Sequence, residues 1–431
     1  MVNDPKNFLW GVATSAYQIE GAYDLGGRTP SIWDTFSHTP GKTYENQTGD
    51  RACDHYQLWE QDVELMKSLG INAYRFSISW SRVFPENSKE FNPNGLDFYQ
   101  QLIDKLLKVN IQPFVTLYHW DLPQYLQDKG GWAIRETAER FRDYAYFLVE
   151  KLGDRVSYWT TINEPSVVAY AGHYHGVHAP GIQSTDQTLK ALHHLLLAHG
   201  LAIHAIRSRF EVKLGITLNL SPVYPDHPSS VLDQKASYLY DTYVYRSILD
   251  ALYLKKYPEE MDMQEVVKLG DMEIIGATTD YLGVNYYTKT MVCFDENQGL
   301  MQARVVPPIR NAYSDLWDFY PQGLSEVLER VCSNYQPPRI YILENGTSLE
   351  VEEDDQGRIA YIRAHLSEMR RCLEKGINVQ GYFYWSFMDN FEWAYGYSKR
   401  FGLFHVDFKT FERIPRASAR WYAHEIAQNK D

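Results

Sequence analysis

The stretch RIYILENG, residues 339–346, shows the pattern that decides the fold: a short apolar run ends in a carboxylate, an amide and a glycine. Such a run, without strict alternation of polar and apolar residues, is typical of a strand buried on both faces of a parallel sheet. Seven further runs of this kind recur along the chain: Phe8–Ala13, Asn72–Ile78, Gln112–Tyr118, Val156–Ile162, Leu214–Leu218, Asp280–Tyr286 and Val379–Trp385. Together with Arg339–Leu343 they give eight predicted strands.

The segments between these runs have helical periodicity. Ile362, Leu366, Met369 and Leu373 recur at steps of four, three and four residues, and the pattern ends before Gly376, a residue that favours helix C-termini. Strands that alternate with helices indicate either a (β/α)8 barrel or a doubly wound open sheet. No glycine-rich linker or low-complexity stretch divides the 431 residues, so one domain spanning residues 1–431 is predicted.

Polar side chains at the carboxyl ends of the predicted strands separate these two folds. His119, Asn163, Glu164, Asn285 and Glu344 lie at the ends of apolar runs. In a barrel these ends converge on one mouth, whereas an open sheet normally adds a glycine-rich phosphate turn. Neither a GxGxxG nor a Walker sequence is present. We therefore predict an α/β protein, a single-domain (β/α)8 TIM barrel with its active site at the C-terminal ends of the strands.

The composition limits the classes of partner. Lys and Arg number 42 against 55 Asp and Glu, a formal net charge of −13. An acidic surface repels nucleic-acid phosphates and anionic lipid, so we expect neither as a partner. The sequence holds no run of 18 apolar residues and no signal-like N-terminal stretch, so a cytoplasmic protein is expected. The high aromatic content, 15%, suits polar, ring-shaped ligands.

Two glutamates have a context that indicates chemistry. Glu164 follows the apolar run in TINEP, and Glu344 follows the one in ILENG. A facing pair of carboxyls over a sugar-sized pocket is what cleavage of a glycosidic bond requires, one as acid and one as nucleophile or base. The alternative for either residue alone is a structural role, as a helix cap or as the partner of Arg75. Both together, with Asn163 and Asn345 beside them, favour the catalytic interpretation.

Several long motifs occur in order along the chain. They are FLWGVATSAYQIEG (8–21), YRFSISW (74–80), TLYHWDLP (116–123), NYY (285–287), WSFMDNFEWA (385–394) and KRFG (399–402). With the NEP and ENG glutamate motifs they make the chain resemble glycoside hydrolase family 1, the retaining β-glucosidase and β-galactosidase family. The resemblance runs almost from end to end and implies a TIM-barrel glycosidase that hydrolyses terminal β-D-glucosides, with β-galactosides and β-fucosides as further substrates.

The resemblance also implies roles. Glu164 would be the general acid/base and Glu344 the nucleophile, with Arg75 and Tyr287 donating hydrogen bonds to Glu344. Asn163 would hold the 2-hydroxyl of the sugar. The other substrate-binding or supporting residues implied are Gln18, His119, Trp120, Asn285, Trp385, Glu392, Trp393 and Phe401.

The implied mechanism is double displacement with retention. Carboxyls about 5–5.5 Å apart leave no room for a water molecule behind the sugar, so one of them attacks the anomeric carbon. The negative charge of Glu344 would raise the pKa of Glu164, which must be protonated in the first step. No metal or other cofactor is expected.

Three features depart from the family pattern. Leu343 stands where Thr usually precedes the nucleophile, and we expect a tolerated packing change. Ser166 stands where Trp is common, and the segment Thr347–Asp355 is short and acidic. Both are expected to affect the leaving-group side of the site, because loops at the mouth shape that side.

Three histidines have the spacing of metal ligands. His173, His175 and His178 form the pattern HxHxxH. Only His178 resembles a family position, and no cysteine or carboxylate stands near the three, so no metal is expected.

Two alternative functions stay open. A 6-phospho-β-glycosidase shares fold and carboxyl pair, but such relatives typically carry Ser in place of Glu392 and Tyr in place of Phe401. A catalytically inactive glycan-binding barrel usually lacks one of the two glutamates, and this chain has both. The expected partner is a small-molecule or oligosaccharide β-glycoside. The sequence leaves open the natural aglycone, the preference between glucose and galactose, transglycosylation and the oligomeric state.

Overall fold

Eight parallel strands close into a barrel in the computed structural model, which describes residues 7–85, 90–349 and 355–429. In chain order the barrel strands are β1 (Leu9–Ala13), β2 (Ala73–Ser77), β3 (Gln112–Tyr118), β4 (Tyr158–Asn163), β5 (Lys213–Asn219), β6 (Tyr281–Asn285), β7 (Ile340–Asn345) and β8 (Val379–Trp385). Each strand pairs with the next, and β8 pairs with β1 to close the ring. The predicted TIM barrel is confirmed, and every predicted run overlaps one strand.

Helices surround the barrel. The longer ones are α1 (His55–Ser68), α2 (Pro93–Lys108), α3 (Arg135–Leu152), α4 (Thr185–Arg207), α5 (Val231–Asp241), α6 (Ser247–Leu254), α7 (Gln322–Tyr335), α8 (Gln356–Glu374) and α9 (Ala417–Gln428). Short helices are Ala16–Ile19, Ile32–Ser37, Trp80–Val83, Gln124–Gln127, Pro165–Ala169 and Asp271–Ile275, with single wide turns at Tyr170–Tyr174 and Thr242–Arg246 and tight 3-10 turns at Tyr44–Asn46, Gly131–Ala133 and Trp393–Tyr395. The helix predicted around Ile362–Leu373 is α8.

Helix α4 is both long and apolar. Among the described residues it is the one helix that is long and apolar enough to cross a membrane, judged by length and composition alone. Its most apolar window is 72% buried within the fold, where it packs against α3. Burial of this extent is typical of a core helix, because a long helix that is apolar on most of its faces must be covered by its neighbours.

Aromatic rings fill the centre of the barrel and form a floor beneath the mouth. The ring of Phe114 lies between 5.1 and 5.6 Å from the rings of Tyr158, Tyr281, Tyr341 and Phe383, measured between centroids. This cluster is buried apart from Tyr158. Side chains of five strands, β3, β4, β6, β7 and β8, meet here, as expected for the packed interior of a TIM barrel. The polar strand ends therefore lie above a largely buried aromatic layer.

Two small sheets flank the mouth side of the barrel. The strands Val223–Pro225, Thr290–Phe294 and Ala303–Val305 form a three-stranded sheet after β5 and β6. The strands Phe404–Val406 and Arg413–Pro415 form an antiparallel pair after β8. They add loops to the C-terminal end of the barrel, which is where a TIM barrel carries its ligand site.

Candidate active site

The two predicted glutamates lie at the ends of β4 and β7, which β5 and β6 separate on the barrel rim. Glu344 is the penultimate residue of β7 and pairs in register with Asn285, the last residue of β6. Glu164 follows β4 directly, with a φ of 51° in the left-handed region. A left-handed conformation at a residue other than glycine is uncommon and is concentrated at functional sites. Both side chains are buried.

Glu344 is held by a cation and a phenol. Arg75 on β2 donates from Nη1 to Oε1 of Glu344 at 2.5 Å, and the hydroxyl of Tyr287 donates to Oε2 at 2.5 Å. The Arg75 side chain is fully buried. A buried carboxylate needs both a counter-charge and hydrogen bonds to offset its loss of hydration, and these two residues supply them. The contacts are those expected from the sequence.

Glu164 has a different environment. Its Oε1 accepts a hydrogen bond of 2.6 Å from Nδ2 of Asn285. Burial, and then the charge of Glu344, raise the pKa of Glu164 to about 8. The carboxyl of Glu164 is therefore protonated at neutral pH, whereas the neighbouring Glu344 is paired with the guanidinium of Arg75. The two carboxyls thus differ in the way that acid and nucleophile roles require.

Asn163 links the two glutamates. Its Oδ1 accepts from Nη2 of Arg75 at 2.6 Å and from Nδ2 of Asn285 at 3.2 Å. Its Nδ2 contacts Nε2 of His119 at 3.1 Å. Because an amide nitrogen donates, Nε2 of His119 is the acceptor and the ring proton lies on Nδ1. Burial keeps the pKa of His119 well below its usual value, which agrees with a neutral ring.

A second polar group lies across the mouth from the glutamates. Nε2 of Gln18 donates to Oδ1 of Asn390, to the backbone oxygen of Phe391 and, at 3.3 Å, to Oε2 of Glu392. Burial, and then the charge of Glu344, raise the pKa of Glu392 to about 8. An amide and a carboxyl group side by side can accept hydrogen bonds from sugar hydroxyls and donate hydrogen bonds to them.

Aromatic rings border the same space. The ring of His119 stacks on Trp385 and on Trp393, with centroid distances of 5.8 and 6.0 Å. Trp120 lies 4.6 Å from Trp393 and donates from its indole nitrogen to the backbone oxygen of Asn163 at 3.1 Å. Flat apolar faces beside polar groups are what a sugar ring needs on its C–H face.

Phe401 closes the remaining side together with a residue that the sequence did not reveal. Its ring lies 5.3 Å from that of Trp317, which in turn lies 4.8 Å from Tyr287. Trp317 belongs to an irregular segment between β6 and β7, outside every predicted strand end. No periodicity or spacing marks it. All thirteen residues expected at the site are thus brought to the mouth side of one barrel, and Trp317 is added.

The departures from the family pattern have different structural settings. Leu343 is fully buried in the apolar cluster that includes Phe383 and Trp385, so its contacts are those of packing. Ser166 is buried on the short helix Pro165–Ala169. Of the acidic segment, residues 350–354 lie outside the described residues. Asp355 is buried and binds Arg358, with 2.7 Å between Oδ1 and Nε.

The three histidines of the HxHxxH pattern have separate surroundings. His173 is buried and its Nδ1 donates to the backbone oxygen of Val168 at 3.0 Å. The ring of His178 lies against Trp33 and Trp120. Within the part of the chain that the structure describes, no group of three or more potential ligands is arranged to hold a metal ion.

A cavity of about 320 Å³ opens at the mouth beside these residues. Glu392, Trp120, Trp393 and Trp317 contribute to its wall. A cavity of this volume, lined by aromatic side chains with a few polar groups, has the character of a small-molecule site. Its position places bound ligand next to the polar strand ends.

Comparison with known proteins agrees with this geometry. The family described as Glycosyl hydrolase family 1 matches residues 3–431. Beta-glucosidase A of Thermotoga maritima is 43% identical over 438 residues, covering 99% of this chain and 98% of that protein. The bifunctional beta-D-glucosidase/beta-D-fucosidase of Bifidobacterium breve is 42% identical over 461 residues, with coverage of 99% and 98%.

Solved structures give the same result. The family 1 b-glucosidase from Thermotoga maritima superposes with a TM-score of 0.94 at 42% identity, covering 99% of each chain. The AHE enzyme from Alicyclobacillus herbarius gives a TM-score of 0.95 at 44% identity, covering 100% of this chain and 98% of that one. The resemblance inferred from the motifs is confirmed, and the chain belongs to glycosyl hydrolase family 1.

Proposed function

We propose that the protein is a retaining β-glucosidase that releases terminal non-reducing β-D-glucose. The relatives named beta-glucosidase and beta-D-glucosidase/beta-D-fucosidase, similar over nearly the whole chain, support a glycosidase of this specificity. One observation carries the proposal: two buried glutamates lie in one network, one beside a guanidinium and one with a raised pKa.

In the first step Glu344 is the nucleophile. Its carboxylate attacks the anomeric carbon, the glycosidic C–O bond breaks, and Glu164 transfers its proton to the leaving oxygen. Arg75 and Tyr287 orient the attacking carboxylate through their hydrogen bonds to Oε1 and Oε2. The product is a glucosyl ester on Glu344 and a free alcohol.

In the second step the ester is hydrolysed. Esterification removes the negative charge of Glu344, so one cause of the raised pKa of Glu164 disappears and that carboxyl acts as a base. Glu164 takes a proton from water, the resulting hydroxide attacks the anomeric carbon, and Glu344 is released. Two inversions give net retention.

The sugar is held by the groups around Gln18 and Glu392. Their amide and carboxyl bind hydroxyls on the side of the ring remote from the cleaved bond, while Asn163 binds the 2-hydroxyl. Trp385 lies beneath the ring and Phe401 beside its 6-hydroxyl. Galactose differs from glucose only in the orientation of the 4-hydroxyl, and D-fucose is galactose without its 6-hydroxyl, so β-galactosides and β-fucosides are expected as further substrates.

The alternatives predict different substrates. A 6-phosphate would lie near the carboxyl of Glu392, where like charge disfavours it once that group ionises. An inactive binding barrel conflicts with the presence of both glutamates in one hydrogen-bond network.

The acid/base and the nucleophile are both glutamate side chains, so the proposed reaction needs no cofactor. A neutral substrate suits the net charge of −13, and the absence of nucleic-acid and membrane partners and the cytoplasmic location stay predictions.

The test compares two variants on substrates of different leaving-group quality. Glu344→Ala should lose about 10⁴-fold or more in kcat on every glucoside, because a buried nucleophile is removed. Glu164→Ala should lose as much on methyl β-D-glucoside but far less on 2,4-dinitrophenyl β-D-glucoside, whose leaving group needs no proton.

Glu374→Ala, at the exposed end of α8, is the matched control and should retain full activity. Wild-type activity in Glu344→Ala would refute the assignment. The anomer released, followed by NMR, should be β-glucose. Turnover of a 6-phosphorylated glucoside alone would favour the phospho-glycosidase.

A further inference from the structure

The side-chain amide of Gln18 is fully buried at the sugar site. The oxygen and nitrogen ends of such an amide have nearly the same shape but opposite hydrogen-bonding character, so the group fits its space in two orientations related by a flip. A sugar hydroxyl meets an acceptor in one orientation and a donor in the other. The groups that fix the orientation of this amide therefore affect how the sugar is bound.

Two backbone carbonyls determine the orientation of Gln18 and of its neighbour Asn390. Nε2 of Gln18 lies 2.9 Å from the backbone oxygen of Phe391, and Nδ2 of Asn390 lies 3.0 Å from the backbone oxygen of Met388. A carbonyl oxygen only accepts hydrogen bonds, so the nitrogen of each amide must face it. Asn390 consequently presents Oδ1 to Nε2 of Gln18, at 3.0 Å. The two amides are oriented as a pair.

A serine at each end completes this network. Nδ2 of Asn390 also donates to Oγ of Ser386 at 2.8 Å, and that hydroxyl donates to the backbone oxygen of Met388 at 3.0 Å. At the other end, Oγ of Ser15 donates to Oε1 of Gln18 at 2.6 Å. All four side chains are buried. A flip of Gln18 would set its oxygen against two other acceptor oxygens, which is costly away from water.

Ser15 binds Gln18 in place of its usual local partner. The residues Ser15 to Gln18 have the spacing of a capping box, in which the serine hydroxyl accepts from the backbone at the third helical position. Ser15 is the N-cap residue of the helix Ala16–Ile19, yet its side chain makes no capping hydrogen bond. The hydroxyl binds the side chain of Gln18 instead. This choice of partner indicates a role in holding Gln18.

The loop that carries Asn390 binds Gln18 through the main chain as well. The backbone nitrogen of Phe391 donates to the backbone oxygen of Gln18 at 3.2 Å. Oε2 of Glu392 lies 3.3 Å from Nε2 of Gln18, so the two protons of this nitrogen face three acceptors. Oε1 has two lone pairs, of which Ser15 uses one. The second lone pair can accept from a sugar hydroxyl.

We propose that Asn390 is a positioning residue of the sugar site, whose Oδ1 holds the amide of Gln18 in the orientation that the sugar hydroxyls require, and that Ser15 holds the same amide from its other end. The proposal rests on the β-glucosidase function. Asn390 and Ser15 act through Gln18 and not by contact with the sugar. Their effect on turnover therefore depends on the presence of the Gln18 side chain.

A double-mutant cycle tests this dependence. The value of kcat/KM on 4-nitrophenyl β-D-glucoside is measured for the full chain, for Asn390→Ala, for Gln18→Ala and for the double variant. Asn390→Ala alone should lower kcat/KM about tenfold, as expected for one misdirected buried hydrogen bond. In the Gln18→Ala background the same substitution should cost less than about twofold. A tenfold loss in both backgrounds is what a merely structural role gives, and it would overturn the proposal.

Ser15→Ala repeats the cycle from the other end of the amide with a smaller change. It removes one hydroxyl that does not cap the helix, so the variant should fold, and thermal melting checks this. The value of kcat/KM should fall about threefold in the native background and stay unchanged in the Gln18→Ala background. Equal losses in the two backgrounds would contradict the role of Ser15.

Asn72→Ala is the matched control, because Asn72 is a linking amide at the opposite end of the barrel. Its Oδ1 accepts from the backbone nitrogen of Trp10 at 2.8 Å, and its Nδ2 donates to the backbone oxygen of Phe8 at 2.9 Å. The substitution removes comparable hydrogen bonds far from the mouth. It should lower the melting temperature and change kcat/KM by the same small factor with and without Gln18.

Failure of the underlying function has a different signature. If the unaltered chain does not hydrolyse 4-nitrophenyl β-D-glucoside, the β-glucosidase function and the positioning proposal are both refuted. If the unaltered chain hydrolyses it and the losses from Asn390→Ala and Gln18→Ala simply multiply, the function stands and the positioning role alone is refuted.

Discussion

Replacing Asn285 by Ala should shift the alkaline side of the pH–activity profile upward. Nδ2 of Asn285 donates a 2.6 Å hydrogen bond to Oε1 of Glu164. This bond favours the ionised carboxylate and so lowers the pKa of Glu164, against the larger opposing effects of burial and of the charge of Glu344. With the donor gone, only the effects that raise the pKa remain strong.

The size of the shift follows from the strength of the lost bond. Hydrogen bonds to charged groups contribute about 1.5–3 kcal/mol, and one pKa unit corresponds to about 1.4 kcal/mol. Partial replacement by water reduces the effect, so we expect a rise of about one unit. The pKa of Glu164, about 8 in the native protein, would then lie near 9.

The assay is kcat/KM as a function of pH on methyl β-D-glucoside, which needs a protonated Glu164. Activity falls as this group ionises, so the midpoint of the alkaline limb should move from about pH 8 towards pH 9. On 2,4-dinitrophenyl β-D-glucoside no proton is needed, and the variant should show no shift. This second substrate separates Glu164 from Glu392, whose pKa is also raised to about 8.

Asn334→Ala, at an exposed position of α7, is the matched control and should leave both profiles unchanged. An alkaline limb that stays in place or moves to lower pH in Asn285→Ala would refute the assignment of Glu164 as the titrating acid.

Three further predictions concern the scaffold. Asp389→Asn should lower the free energy of unfolding by about 3–5 kcal/mol in urea titrations, because the buried carboxylate makes two 2.8 Å bonds to Arg416. The pKa of Asp389 is lowered in the folded protein, so this stabilisation is present above the unfolded-state pKa of about 4. It is lost as the pH falls through the lower pKa of the folded state. Leu343→Thr should cost about 2–4 kcal/mol by thermal or urea unfolding and change kcat by less than about threefold, since the side chain packs in the barrel interior. Gly346→Ala should abolish folding or activity, seen by circular dichroism and turnover, because its Cβ would collide with the backbone oxygen of Trp385.

The barrel could be predicted because its strands are buried on both faces. Such strands must be apolar throughout, so the runs stand out, and the polar residues that end them point to the mouth. The ion pair between Arg75 and Glu344 was implied by the family resemblance, and it agrees with the need of a buried carboxylate for a counter-charge. The predicted strand bounds differ from the observed ones by at most two residues.

Other features lie outside the reach of sequence patterns. Trp317 reaches the mouth from an irregular segment whose course depends on tertiary contacts such as the ion pair of Asp315 with Lys399, 2.9 Å apart. The ion pairs of Asp389, beneath the loop that bears Glu392, join residues remote in sequence. Of the short acidic segment, residues 350–354 lie outside the described residues, and Asp355 binds Arg358. Specificity for the leaving group depends on these loops, whereas the chemistry depends on the strand ends.

Trapping the covalent intermediate shows which glutamate is the nucleophile. The full chain is treated with 2,4-dinitrophenyl 2-deoxy-2-fluoro-β-D-glucoside, whose fluorine slows both steps while the good leaving group lets the first proceed, and the labelled peptide is sequenced by mass spectrometry. We expect one sugar per chain, attached to Glu344, with reactivation when the ester hydrolyses. A label on Glu164, or a fully active enzyme that never acquires one, would contradict it.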